Sequence, residues 1–214
     1  VGDSPEAVAA NRALFGQALG GARPVFMRQV HGVRVLRLQS HHAGAQAGEQ
    51  EADACISTEA GLACTVQVAD CLPVLFAAPD GRAVGAAHAG WRGLAGGVLE
   101  ATLSAICEAA SCEPQAVQAW LGACIGPEYF EVGSEVRAAF CDQDPLAHAA
   151  FRPGAVPGKF FADLPQLARQ RLQAQGLRHI TGGPWCTYGD RSRFFSFRRD
   201  GVTGRMAAAI WRMA

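Results

Sequence analysis

No block of Lys or Arg occurs anywhere in the 214 residues, and nineteen basic side chains are cancelled by nineteen acidic ones. The chain therefore has no electrostatic footprint for nucleic acid or an anionic membrane, and any charged substrate must be met by local groups. Long apolar runs are also missing. Stretches such as residues 72–78 are far too short to span a bilayer, and the acidic start Val1-Gly2-Asp3 is unlike a signal peptide, so a soluble cytoplasmic protein without membrane partners is expected. No Cys-x-x-Cys spacing exists, and the eight cysteines are too sparse and irregular for a secreted disulfide framework, which points to free thiols in a reducing cell. Histidine is scarce too, six residues with no His-x-His pair, a poor endowment for multicopper electron transfer. With no internal repeat, no linker and half its residues apolar, the chain is expected to form one mixed α/β domain around a large core.

What is there centres on His31 in Arg28-Gln29-Val30-His31-Gly32, Cys71 in Ala69-Asp70-Cys71-Leu72-Pro73, and His88 in His88-Ala89-Gly90-Trp91-Arg92-Gly93. Two apolar, strand-like runs, 72–78 and 82–87, flank Pro79-Asp80-Gly81, which carries the turn signals of a hairpin. If Ala78 pairs with Gly81, Cys71 falls directly opposite His88, with Cβ atoms about 4.5–5.5 Å apart. A bulge at Gly81 would shift that register by one residue and spoil the opposition. His31 ends another apolar run, 24–30, where Gly32 would allow a sharp bend, and it could supply a third ligand from a neighbouring strand. One thiolate and two imidazoles suit Zn²⁺, and three protein ligands leave the fourth position open, as in catalytic zinc sites. Each residue also has a plainer reading: Cys71 as core, and either histidine as a turn residue. His41 and His42 fall in the Gly/Ala/Gln-rich stretch 40–50, expected as a surface loop, and His148 and His179 have no partner motif.

Ser4-Pro5-Glu6 offers a cap, a proline in the first turn and an acid there, predicting a helix to about residue 18. Strands are predicted at 24–30, 33–38, 54–57, 62–68, 72–78 and 82–88. A helix over 94–109 follows, with an apolar stripe of Leu94, Val98, Leu99, Leu103 and Ile106. Its N-terminus after Trp91-Arg92-Gly93, together with Arg92, would favour an anion such as phosphate; the alternative is Arg92 as an ordinary surface residue. Further along, a strand at 117–121, a glycine-bearing loop at 122–133, helices at 134–140 and 163–175, a loop at 142–159 and two strands at 194–198 and 206–211 joined through Asp200-Gly201 are expected. Cys55, Cys64 and Cys107 read as core, whereas Cys124 and Cys186 lie in loop segments and could face a cleft.

These motifs, with Leu121-Gly122-Ala123-Cys124-Ile125-Gly126-Pro127, Phe130-Glu131-Val132-Gly133, Cys186-Thr187-Tyr188, Phe194-Phe195-Ser196-Phe197-Arg198-Arg199 and Thr203-Gly204-Arg205-Met206-Ala207, occur in an order that resembles the YfiH-like, laccase-domain family over nearly the whole chain. The resemblance implies a layered αββα fold with mixed sheets, like the catalytic domain of cytotoxic necrotizing factor, and zinc held by His31, Cys71 and His88. It also implies zinc-dependent handling of purine nucleosides: phosphorolysis of adenosine, inosine and methylthioadenosine, and deamination of adenosine. Other labels within the family are copper-dependent polyphenol oxidase and peptidoglycan editing factor. Family members usually carry an N-terminal segment with a Thr-Thr-Arg-x-Gly-Gly pattern before the part matching Val1-Gly2-Asp3; here it is expected to be absent, leaving part of the substrate-binding wall in doubt.

Deamination would need a metal-activated water and a proton shuttle, for which Asp70 is the nearest candidate; its alternative is a turn acid bonded to backbone amides. Phosphorolysis would need phosphate placed against C1′, where Arg92, Arg198 or Arg205 could clamp it, though each could equally be a surface charge. Tyr188 and Cys186 are expected to line the pocket or, alternatively, to pack. Three other readings stand beside the nucleoside enzyme: a copper oxidase, a cysteine or zinc amidohydrolase with Cys71 as nucleophile and His88 as base, and a zinc-binding module without turnover.

Overall fold

The computed structural model describes residues 2–43 and 50–213. Helix α1 (Pro5–Ala18) begins as the sequence predicts: the Ser4 hydroxyl accepts a hydrogen bond from the Ala7 amide, and Pro5 occupies the first turn, where no amide is needed. Short strands β1 (Arg23–Val25) and β2 (Val35–Arg37) lead to β3 (Ala54–Ser57), β4 (Leu62–Val68), β5 (Leu72–Ala77) and β6 (Val84–Ala89). Helices α2 (Trp91–Gly96) and α3 (Val98–Ala110) precede β7 (Gln118–Leu121), β8 (Glu131–Gly133) and α4 (Ser134–Cys141). The chain ends through β9 (Phe151–Pro153), β10 (Lys159–Ala162), α5 (Leu164–Ala174), β11 (His179–Gly182), α6 (Phe197–Asp200) and β12 (Met206–Ile210).

A six-stranded mixed sheet, in the order β11-β7-β5-β6-β3-β2, forms the middle of the molecule. Its central strands are buried on both faces, all four residues of β3 and all six of β6, and their small side chains let two layers approach the same sheet. The period of two sorts these residues. Leu72, Val74, Phe76, Ala87 and Ala89 face Leu99, Leu103 and Ile106 of α3, with α5 beside it, whereas Cys55, Leu75, Val84 and Ala86 face a second sheet, β1-β4-β12, through Leu62, Cys64, Val66 and Ile210. The opposite face of that second sheet, at Ala63 and Ala209, takes Phe15 of α1 and Leu19 just after it. The resulting order is helix, sheet, sheet, helix, a single mixed α/β domain as expected. Each fully buried side chain such as Phe76 contributes about 1.5–3 kcal/mol through removal from water.

Several expected elements differ. The run 24–30 is strand only at its start, in β1, where Pro24 and Val25 pair with Ala63 and Cys64; beyond it the path to His31 is irregular apart from a bridge between Arg28 and Glu51. The helix expected at 94–109 is two helices broken at Gly97, whose left-handed φ of 101° closes α2 and opens α3. Residues 194–196 carry no strand; instead the Ser196 hydroxyl accepts from the Arg199 amide and caps α6. The expected loop 142–159 contains a 3₁₀ segment (Pro145–Ala150) and β9, and its last residue opens β10; β9 and β10 join β8 in a small third sheet. In the stretch 40–50, Ser40–His42 forms a 3₁₀ turn, while 44–49 lie outside the described residues. Cys55 and Cys64 are buried as expected, Cys107 is half-buried, and Cys124, expected to face a cleft, is fully buried.

Candidate metal centre

The hairpin that carries two of the three motif residues has a longer loop than its turn signal suggested. Pro79–Gly81 forms a 3₁₀ turn with Asp80 at a φ of 56°, and the Ala78 amide donates to the Ala83 carbonyl, so the loop spans four residues. Pro73 therefore stands opposite His88, and Cys71 is not directly opposed to it. The register differs from expectation by two residues, not one, and a period of two keeps Cys71 on the same face as His88. Continuing the ladder brings Cys71 level with Gly90. The missing side chain there is filled: a Cβ on Gly90 would lie 2.5 Å from His31 Cδ2 and 3.0 Å from Cys71 Sγ. Glycine at this position is what leaves room for the His31 ring beside Cys71.

His31 arrives from the loop after β1, not from a strand end. The bend is made by His31 itself, in the left-handed region at a φ of 61°, and not by Gly32. The Cys71 Sγ to His31 Nε2 distance is 3.6 Å, the His31 and His88 rings meet edge to face with centroids 4.8 Å apart, and one donor atom from each of the three residues lies within 4.8 Å of the others. Tetrahedral zinc with nitrogen and sulfur ligands sets donors about 3.3–3.6 Å apart. The donor set suits such an ion, the Cys71–His31 separation falls in that range, the 4.8 Å bound on the whole group exceeds it, and a group of this kind could hold a metal.

Asp53, just before β3, was not singled out from sequence. It is fully buried and accepts four hydrogen bonds: from the amides of Val30 (3.1 Å), His31 (2.8 Å) and Gly32 (2.7 Å), and from His88 Nδ1 (2.8 Å). Since a carboxylate can only accept, Nδ1 carries the proton and His88 Nε2 is left to face the other ligands. Burial works against charge on all three of these groups, and specific bonds prevail. Burial would raise the Asp53 carboxyl, but the bonds from His88, Gly32 and Val30 hold it below the ordinary range. Burial would raise Cys71 as well, yet hydrogen bonding and charge from His31 and His88 bring its thiol down to about 6. Burial would lower His88, whereas Asp53 and Cys71 raise it to about 9. Without metal the centre is a thiolate–imidazolium pair.

The wall beside Cys71 is fastened by Asp70, a non-glycine residue at a φ of 94°. Its Oδ1 accepts from the Thr187 hydroxyl (2.6 Å) and its Oδ2 from the Arg198 amide (2.7 Å). Both oxygens are thus engaged, one of them by a backbone amide; to move a proton, Asp70 would first have to exchange a partner. Arg199 extends the tie, donating to the carbonyls of Thr187, Tyr188 and Phe194 and to Asp200. Cys186 Sγ accepts from the amides of Gly126 and Gly189, and Tyr188 stacks on Tyr129 at 4.5 Å between centroids. The Arg198 guanidinium donates to the Glu131 carbonyl and lies over Phe130. Arg92 is exposed over the Trp91 ring in a helix that starts at Trp91, before the position expected, and only six residues long, so the anion site expected at its N-terminus is not formed by an extended helix. Arg205 lines a cleft of about 700 Å³ with Arg12, Phe26 and Gln67, and its guanidinium lies over the ring of Phe197, the residue before Arg198. The structure brings Asp70, Cys186, Tyr188 and Arg198 into one linked wall, and Arg205 meets the segment that carries Arg198 through Phe197.

Among the described residues no helix is long and apolar enough to cross a membrane. The model of the family described as multi-copper polyphenol oxidoreductase laccase matches residues 1–213. The purine nucleoside phosphorylase YfiH of Escherichia coli is 48% identical over 211 residues, spanning 98% of this chain and 83% of that protein, and a purine nucleoside phosphorylase of Pseudomonas aeruginosa is 46% identical over 211 residues, spanning 99% and 83%. Among solved structures, YlmD from Geobacillus stearothermophilus superposes with a TM-score of 0.93 at 32% identity, over 100% of this chain and 83% of that one; a Neisseria meningitidis protein superposes with 0.91 at 46% identity, over 100% and 84%. The family model over residues 1–213, the identity of 46–48% to these relatives and the shared layered fold together make this chain a member of the YfiH-like, laccase-domain family.

Proposed function

We propose that the chain is a zinc-dependent purine nucleoside phosphorylase that acts on adenosine, inosine and methylthioadenosine, with deamination of adenosine as a second reaction at the same centre. The observation that carries this reading is the convergence of His31, Cys71 and His88, with three protein donors and, among the described residues, no fourth in the group. His31, Cys71 and His88 would hold the ion, and the depressed thiol already presents sulfur as the thiolate that a metal takes. When bound, zinc supplies Lewis acidity and a water whose pKa falls to about 7. In phosphorolysis a phosphate oxygen forms a bond to C1′, the bond from C1′ to the purine nitrogen breaks, and the base departs with a proton. The chain's part is positioning. The names of the purine nucleoside phosphorylases to which it is similar support the substrate class. In this reading Tyr188, stacked on Tyr129 and pinned through its carbonyl by Arg199, offers a flat face for a base, and Arg198 and Arg92 supply positive charge for phosphate.

A second reading has its own observation: the thiolate–imidazolium pair of Cys71 and His88 is that of a cysteine nucleophile. Metal content of protein purified without added metal, measured by inductively coupled plasma mass spectrometry and compared with Cys71→Ala, separates the two when both are assayed with adenosine and phosphate. About one zinc per chain is expected, lost in Cys71→Ala together with adenine formation. Stoichiometric copper with phenol oxidation would overturn the proposal in favour of the oxidase, and Cys71-dependent turnover in metal-free protein would overturn it in favour of the nucleophile.

A further inference from the structure

Three ligands from three separate segments need something that fixes their mutual geometry. His31 costs the most to hold, since a non-glycine residue in the left-handed region persists only where its surroundings over-determine it. The hydrogen bonds around it lead to one group. Asp53 Oδ2 takes the amides of Val30 and Gly32, which flank His31, and Oδ1 takes the amide of His31 and also Nδ1 of His88. A single oxygen therefore bonds both histidines, one through its backbone and one through its ring. The amides of residues 30–32 wrap the carboxylate as an anion nest, and the imidazole bond selects the tautomer that turns Nε2 toward Cys71.

We propose that Asp53 is the positioning residue of this centre, a buried carboxylate that sets the ring orientation of His88 and the backbone conformation of His31 at once, and so presets the donor triangle before any ion arrives. This rests on the reading of His31, Cys71 and His88 as metal ligands. Cys71 needs no such support, because it is placed by the β4–β5 turn, whereas neither histidine would keep its place without the acceptor. Asparagine is the informative substitution. It keeps the shape and one accepting oxygen, but its amide nitrogen cannot accept, so either the nest or the bond shared by the two histidines is lost whichever way the amide is turned.

The test compares parent, Asp53→Asn and Asp163→Ala. Asp163 caps α5 by accepting from the Gln166 amide and has no bond to the three ligands, so its loss destabilises the fold without touching the centre. Zinc affinity is measured by competition with a chromophoric chelator, and the Nδ1 proton of His88 is followed by NMR in metal-free protein. Asp53→Asn should weaken zinc binding about 10–100-fold, whereas Asp163→Ala should lower the melting temperature and leave zinc affinity unchanged. The metal-free parent should show a low-field Nδ1 proton on His88 that Asp53→Asn abolishes or shifts. Equal zinc affinity in parent and Asp53→Asn, or equal weakening in Asp163→Ala, would overturn the proposal. A metal-free parent whose His88 is protonated on Nε2 alone would do so even if Asp53→Asn failed to fold. If the parent binds no zinc, the ligand reading fails, and the His88 signal still reports whether Asp53 orients that ring.

Discussion

Gly90→Ala changes one hydrogen for one methyl at the point where the two sulfur- and nitrogen-bearing side chains meet. The backbone tolerates alanine, since Gly90 sits at φ −66° and ψ 157° as the residue before α2. The obstacle is local: the new Cβ would lie 2.5 Å from His31 Cδ2 and 3.0 Å from Cys71 Sγ, and ordinary contact begins at 3.4 Å. Relief requires the His31 ring to retreat by about 1 Å, several times the ±0.2 Å over which ligand distances are held in metal sites. Overpacking of this kind costs about 1–3 kcal/mol, which in a chain of this size lowers the melting temperature by roughly 2–12 °C. The effect on the centre should be larger in proportion, since a displacement of about 1 Å can reduce turnover on the order of 100-fold. Gly96→Ala is the control, because its Cβ would press at 3.0 Å only on Cγ1 of the exposed Val33. Differential scanning calorimetry, zinc titration and adenosine phosphorolysis on the three proteins decide the matter. If Gly90→Ala binds zinc and turns over as the parent does, glycine at this position is not what admits His31.

Two further outcomes follow from the same contacts. In metal-free protein, alkylation of Cys71 by iodoacetamide, followed on its peptide by mass spectrometry, should be half-maximal near pH 6, not near the ordinary 9. Folding releases the Cys71 proton between those values, so this group adds stability as pH rises from 6 to 9; His88, held protonated up to about 9 against an ordinary 6.5, binds a proton on folding and has the opposite slope. The two cancel, and urea midpoints should be nearly flat from pH 6.5 to about 8, below the range where the raised thiols of Cys64, Cys107, Cys124 and Cys141 begin to lower stability; a steep slope there would refute the paired assignment. Thr187→Val removes the hydroxyl that donates to Asp70 Oδ1 from a fully buried position and leaves that oxygen without its donor. Thermal unfolding should show a loss of about 1–3 kcal/mol, and an unchanged melting temperature would show that the Asp70 tie is dispensable.

The sequence was most legible where a local signal and the local structure coincide. Helix α1 has its serine cap and first-turn proline, and β3 and β4 have turn residues at both ends, so their limits match the expected ones. The hairpin was legible as a hairpin but not in register, because Pro79-Asp80-Gly81 states that the chain turns and not how many residues the loop takes. Strands β8 and β9 have three residues each and β10 has four, too few for an alternating pattern to register. The three candidate ligands stood out because each sits in its own motif. Asp53 did not, since a lone acid at the head of an apolar strand carries no signal when its partners lie 21 to 35 residues away.

The double tie at Asp70 also orders events in time. Its partners Thr187 and Arg198 lie 117 and 128 residues downstream, whereas the bonds from Asp53 to the loop at 30–32 and to His88 span no more than 35. Contacts that close long loops form late, and a chain leaving the ribosome delivers its beginning first. The bonds that position His31 and His88 can therefore form before the last part of the polypeptide is made, and the tie from Asp70 to Thr187 and Arg198 is added afterwards. In that order, placing the donor triangle and fastening Asp70 to the C-terminal segment are separate stages of folding.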